Sequence, residues 1–117
     1  MYDLHMAATE RKFADIIWEN APVKSPQLVK LAGKELNWSK STTYTVLRKL
    51  CQKGIFRNEK ALVTAVISRE EYLGLKTVNT VKELYNGSLP EFIAAFAARQ
   101  RVSREEKEEL LKIIKDI

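Results

Sequence analysis

The feature that most narrows the fold is the order in which the hydrophobic periodicity changes between Thr9 and Ser68. Three segments with apolar residues at helical spacing are followed by two short runs rich in β-branched residues. The first segment carries Phe13, Ile16 and Ile17 on one stripe; Thr9 is placed to cap it, and Pro22 after Asn20-Ala21 stops it. The second starts at Ser25-Pro26, with Ser as N-cap and Pro at the first helical position, and continues through Leu28, Leu31, Ala32 and Leu36. The third opens at Ser39. It sets Thr43, Val46, Leu47 and Leu50 on one face against Ser41, Tyr44, Thr45, Arg48 and Gln52 on the other, and Gly54 after Lys53 is a good stop. The runs "IFRN" and "LVTAVIS", joined by "EKA", read as a hairpin with a tight connection. Three helices and then a hairpin are the elements of a winged helix-turn-helix. In that arrangement the third helix packs its apolar side on the first two and offers its other side to a groove.

Charge sharpens the reading once it is located. The chain of 117 residues has a net charge of +5, and all of the excess lies in residues 1–68, while residues 69–117 balance. Between Lys24 and Arg57 stand eight Lys and Arg residues (24, 30, 34, 40, 48, 49, 53 and 57) opposed only by Glu35. That is the footprint of a surface for a polyanion. A helix lying in a major groove needs short hydroxyl side chains near its N-terminus, because long apolar ones there would be desolvated without partners. Ser41, Thr42 and Thr45 fit that need, and Tyr44 can contact a thymine methyl or a phosphate. Ser39, Lys40, Arg48 and Lys49 can reach phosphates along the flanks. On the wing, Arg57, Asn58 and Lys60 stand where a hairpin would touch the backbone or the minor groove.

The second half differs. Ser68-Arg-Glu-Glu71, Ser88-Leu-Pro-Glu91 and Ser103-Arg-Glu-Glu106 each place Ser three residues before Glu, the capping-box pattern of a helix start. Three helices are therefore expected. Their stripes are Tyr72, Leu75, Val78, Val81 and Tyr85, then Leu89, Phe92, Ile93 and Phe96, then Leu110, Ile113, Ile114 and Ile117. So short a unit cannot bury that much apolar surface stably by itself, and pairing with a second copy would supply the missing partner. The expected organisation is a DNA-binding head over residues 1–68 and a helical dimerisation module over residues 69–117. Two heads on a two-fold axis would read a palindrome whose half-site centres lie some multiple of roughly 34 Å apart.

Other functions find little support. Cys51, the single cysteine, and His5, the single histidine, cannot build a structural zinc site, so no metal and no cofactor are expected. Cys51 reads as a small buried hydrophobe, and His5 lies in an N-terminal segment expected to fray. An enzyme would need a nucleophile with its base or clustered carboxylates in a pocket. The nearest candidates, Ser39 with Lys40 and the run Glu105 to Glu109, read as a cap and a solvated helix face. No run approaches the length of a membrane span and no signal peptide opens the chain, so a cytoplasmic protein is expected.

The run "FADIIWENAPVKSPQLVKLAGKELNWSKSTTYTVLRKLCQKGIFRNEK", with "SREEYLGLKTVNTVKELYNGSLPEFIAAF" and "SREEKEELLKIIKDI", resembles the penicillinase-repressor family, also called the BlaI/MecI/CopY family. The resemblance runs from about Thr9 to the C-terminus and is most specific at Trp18-Glu19, "NWSKSTTYTVLRKL" and "YNGSL". It implies a cytoplasmic dimeric repressor with a winged-helix head and a helical dimerisation tail. It also implies a recognition helix starting at Ser39, with Ser41, Thr42, Tyr44 and Thr45 reading bases. Three departures bear on mechanism. Many members carry Pro-Lys where this chain has Lys40-Ser41. The Asn-Phe bond cut by a sensor protease in the antibiotic-responsive members is matched by Ala95-Phe96, and the cysteine motif of the copper-responsive members has no counterpart after Cys51. Neither known switch is supported, so an inducing protease or ligand is left unidentified. The reading is a sequence-specific repressor that occludes a promoter. The alternative, a winged helix serving as a protein-interaction module, predicts an apolar or acidic exposed face on the third helix, where this chain is hydroxyl-rich and basic.

Overall fold

Phe13, Ile17, Leu28, Leu50, Ile55 and Val63 are fully shielded from water, and they come from the three predicted helices and the hairpin that follows them. The computed structural model describes residues 2–117, which divide into two units, one reaching Lys76 and the other Thr77–Ile117. In chain order the elements are α1 (Ala8–Asn20), β1 (Val23–Lys24), α2 (Ser25–Leu36), α3 (Lys40–Gln52), β2 (Phe56–Glu59), β3 (Leu62–Ala65), α4 (Arg69–Tyr85), α5 (Leu89–Arg99) and α6 (Arg104–Lys115). The chain is mostly helical with one small antiparallel sheet, in the order of a winged helix-turn-helix head followed by three helices.

In the first unit, α1, α2 and α3 close over one core. Each fully buried Leu or Phe there is worth about 2–3 kcal/mol of transfer free energy, which makes these side chains the main stabilising term of the head. The hairpin is antiparallel, with Phe56 opposite Ala65 and Asn58 opposite Val63. A third strand that the sequence pattern does not announce completes the sheet in the order β1-β3-β2, because Val23 pairs with Val63 and Lys24 with Leu62. Two residues are too few to show a period, and the pairing is fixed only by tertiary contact.

The first two helix starts depart from expectation. Thr9 is not the cap of α1; Ala7 is the N-cap residue, and the Glu10 carboxylate accepts the Ala7 N–H at 3.1 Å. That bond chiefly, helped by Lys53, holds the Glu10 carboxyl below its usual value against the opposing effect of burial. Ser25 is not a cap either. Lys24 occupies the N-cap position of α2, and the Ser25 side chain turns inward, where it is 3% exposed. The N-terminal segment does not fray as expected: the Asp3 N–H donates to the Lys53 carbonyl at 3.0 Å, Lys53 Nζ reaches the His5 carbonyl, and Leu4 and Met6 pack on the core.

Around Trp18 the start of α4 joins the head. The indole Nε1–H donates to the Ile67 carbonyl at 3.0 Å, and the ring lies 5.2 Å from Phe56 and 5.3 Å from Tyr72. Arg69 donates to the Asp15 carboxylate and carbonyl and to the Glu19 carboxylate, while its guanidinium lies 5.8 Å from the Trp18 ring. Tyr72, grouped by periodicity with the dimerisation stripe, is instead 2% exposed in the head core, its hydroxyl donating to the Leu4 carbonyl. For this reason the first half of α4 belongs to the first unit, and the division falls at Lys76/Thr77, later than the compositional shift at 68/69.

All three Ser-x-x-Glu signals are helix starts. Ser68 and Glu71 exchange side-chain and backbone bonds, Ser103 and Glu106 do the same, and the Ser88 hydroxyl accepts from the Glu91 N–H. In the second unit Tyr85 meets Phe92 edge to face at 5.9 Å. Yet α5 and α6 contain no buried residue, and Val81 is the one buried hydrophobe among the described residues of this unit.

Candidate nucleic-acid interface

Helix α3 is built so that its two faces cannot exchange roles. Thr43, Leu47 and Leu50 are buried, while Lys40, Ser41, Thr42, Thr45, Arg48 and Lys49 are exposed. Its start is pinned by Ser39, whose hydroxyl accepts the Thr42 N–H and donates to Thr42 Oγ1, both at 3.1 Å. Ser39 is thus engaged as the cap. Its end is closed by Gly54 at φ 83, with the Gly54 N–H on the Cys51 carbonyl at 3.0 Å and the Ile55 N–H on the Leu50 carbonyl at 3.3 Å. This is a Schellman closure, completed by the buried pair Leu50 and Ile55. The turn into α3 is as tight: Asn37 stands in the left-handed region at φ 57, and its N–H returns to the Ala32 carbonyl.

Accounting for each hydroxyl proton shows what the exposed face offers. Thr43 donates to the Ser39 carbonyl and Thr45 to the Ser41 carbonyl, each at 2.9 Å. Thr45 therefore faces outward as an acceptor with a methyl group. Thr42, which receives the Ser39 hydroxyl, keeps its own proton for an outside acceptor. Ser41 makes no side-chain bond within the described chain and can serve either way.

Tyr44 stands apart from these three. It is half-buried on the flank, packed on the core, and its hydroxyl lies 3.2 Å from the Ser25 hydroxyl. Ser25 also sends its backbone N–H to the Ala61 carbonyl at 2.8 Å, so one residue holds both α3 and the hairpin tip. Sequence reasoning missed this role because Tyr44 and Ala61 lie far from Ser25 along the chain, and no local pattern links them.

The hairpin itself is tighter than "EKA" suggests. Glu59 is the last residue of β2, and the turn is the pair Lys60 (φ 52) and Ala61 (φ 65), both left-handed, as a type I′ turn requires. Arg57 and Lys60 are exposed, with Arg57 beside Glu59 at 3.7 Å, an exposed pair that contributes little to stability. Lys24, Glu59, Lys60 and Leu62 line an open hollow at the tip. Between α3 and β2 a cleft of about 250 Å³ is lined by Tyr44, Leu47, Arg48, Cys51 and Asn58. Cys51 is half-buried there, and desolvation pushes its thiol above the ordinary value despite a bond from the Asn58 backbone. No cluster of three His, Cys, Asp or Glu side chains fit for a metal occurs among the described residues, and no described helix is long and apolar enough to cross a membrane.

The residues expected at a dimer interface fall into three groups. Tyr72 is enclosed in the head. Leu75 and Val78 on α4, Leu89 and Phe96 on α5, and Leu110, Ile113 and Ile114 on α6 are exposed, Phe96 at 53% and Ile113 at 59%. Phe92 and Ile93 are half-buried; with Phe96, Val102, Leu110 and Ile113 they line an apolar groove of about 360 Å³ edged by Glu106 and Glu109.

The penicillinase repressor family profile matches residues 6–116. The chain is similar to the penicillinase repressor of Bacillus licheniformis, with 26% identity over 111 residues, covering 92% of this chain and 87% of that protein. It is also similar to the methicillin resistance regulatory protein MecI of Staphylococcus aureus, with 23% identity over 113 residues, covering 93% and 92% respectively.

Proposed function

Because the chain belongs to the penicillinase repressor family, we propose that it is a transcriptional repressor that binds double-stranded DNA as a homodimer and occludes a promoter at a palindromic operator. The observation that carries this reading is the outer face of α3. Three hydroxyl side chains, Ser41, Thr42 and Thr45, stand with Arg48 and Lys49 on a helix whose other face is locked in the core. Short donors and acceptors on a rigid helix are what the major-groove edges require, and the flanking cations suit phosphates. Ser41, Thr42 and Thr45 read bases, with Tyr44 beside them. Lys40, Arg48 and Lys49 meet phosphates from the helix, and Arg57 and Lys60 do so from the hairpin.

Dimerisation rests on the exposed apolar surface of α5 and α6, which an isolated unit would present to water. A second copy covering Leu89, Phe92, Ile93, Phe96, Leu110, Ile113 and Ile114 would remove it. Selection of bound sequences from random duplex DNA by the purified protein tests the reading. A palindrome with two-fold half-sites is expected. Recovery of no motif, with binding that collapses as salt rises, would reduce the basic face to non-specific attraction.

A further inference from the structure

The Ser25 hydroxyl is enclosed, and the Tyr44 oxygen at 3.2 Å is its one partner among the described residues. Of the two residues, Tyr44 is half-buried while Ser25 is only 3% exposed. A buried donor left unpaired is costly, so the favoured arrangement has Ser25 donating and the Tyr44 oxygen accepting. The Tyr44 proton is then free to point outward. Tyr44 lines, with Arg48 and Asn58, the cleft between α3 and β2, and a phenol and a guanidinium one helical turn apart there are two donors suited to a single anion.

We propose that Tyr44 and Arg48 form a phosphate clamp for one DNA strand in the cleft between α3 and β2, and that Ser25 is the positioning residue that aims the Tyr44 hydroxyl at that phosphate. This deepens the proposed function and rests on it. It removes Tyr44 from the base-reading set and assigns it to register and affinity. The same Ser25 holds the hairpin tip through its backbone N–H to Ala61, so clamp and wing share one anchor.

The test uses the full chain and the duplex recovered by selection, together with copies carrying a neutral methylphosphonate at one backbone position at a time. With the wild-type chain, one position in each half-site is expected to lose about ten-fold in affinity when neutralised, the scale of a hydrogen bond to a charged group. In Tyr44→Phe and in Ser25→Ala the loss at that position is expected to shrink to about three-fold, the remainder belonging to Arg48, while the ratio of selected to random-sequence affinity stays as in wild type. Circular dichroism and thermal unfolding confirm that each variant is folded; Tyr44→Phe keeps the packed ring. Persistence of the full penalty at every position in both variants overturns the clamp, as does a selective loss for the selected duplex in Tyr44→Phe, which would return Tyr44 to base reading. Failure of the wild-type chain to prefer any duplex overturns the proposed function and this assignment together.

Discussion

The Thr45 hydroxyl donates to the Ser41 carbonyl at 2.9 Å, whereas Thr42 receives a hydroxyl from Ser39 and keeps its own proton. Neighbouring threonines on one helix face thus present opposite hydrogen-bonding characters. Thr45 can accept from an adenine or cytosine amino group or lay its methyl on thymine, and Thr42 can donate to a purine N7 or a carbonyl.

Replacing each with valine keeps the shape and removes the hydroxyl. Thr42→Val and Thr45→Val are each expected to weaken binding to the selected duplex by about 1–3 kcal/mol and to leave random duplex nearly unaffected. Titration with both duplexes checks this. Equal losses on the two would show that neither residue reads bases.

Ala61 holds a left-handed conformation at φ 65 with a Cβ that disfavours it. Relief of about 1–2 kcal/mol of strain exceeds the extra chain entropy of glycine, so Ala61→Gly is expected to raise stability by about 0.5–1 kcal/mol. Urea unfolding at fixed protein concentration reads this directly. Because Ala61 is not among the residues proposed to touch DNA and its N-neighbour Lys60 is kept, duplex affinity should stay the same.

A charge placed in the apolar groove tests pairing. Phe96→Asp and Ile113→Asp, at positions 53% and 59% exposed, are expected to convert dimer to monomer in sedimentation at micromolar protein. Since the head core does not include them, the near-ultraviolet signal of Trp18 should persist. A dimer that survives both substitutions would place its interface elsewhere.

Glu10 supplies a pH signature. Its folded carboxyl lies below the ordinary value of 4.5, so its contribution is fully present above that pH and is lost as pH falls through the folded value. The stability gap between wild type and Glu10→Gln is expected to be constant at neutral pH and to shrink as pH falls below the ordinary carboxyl value of 4.5, as measured by thermal unfolding across pH. A gap that widened on acidification would contradict the cap and the Lys53 pair.

Much of this architecture is legible in the sequence where a signal is local. The two faces of α3, its Ser39 cap and Gly54 stop, and the three Ser-x-x-Glu starts need only neighbours within a turn or two. What escapes is set by distant partners. Val23-Lys24 becomes a strand only because β3 lies beside it, and Ser25 loses its expected cap role because Tyr44 and Ala61 claim its hydroxyl and N–H. Tyr72 shows a third limit: periodicity finds the apolar face of α4, but Trp18 and Leu4 decide that its first half packs in the head.

The central claim is that two copies read one site together. Sedimentation of the protein with the selected duplex, and with a duplex carrying a single half-site, tests it most directly. The account predicts two chains on the full duplex and much weaker binding to the half-site. One chain per full duplex, or equal affinity for both, would contradict it.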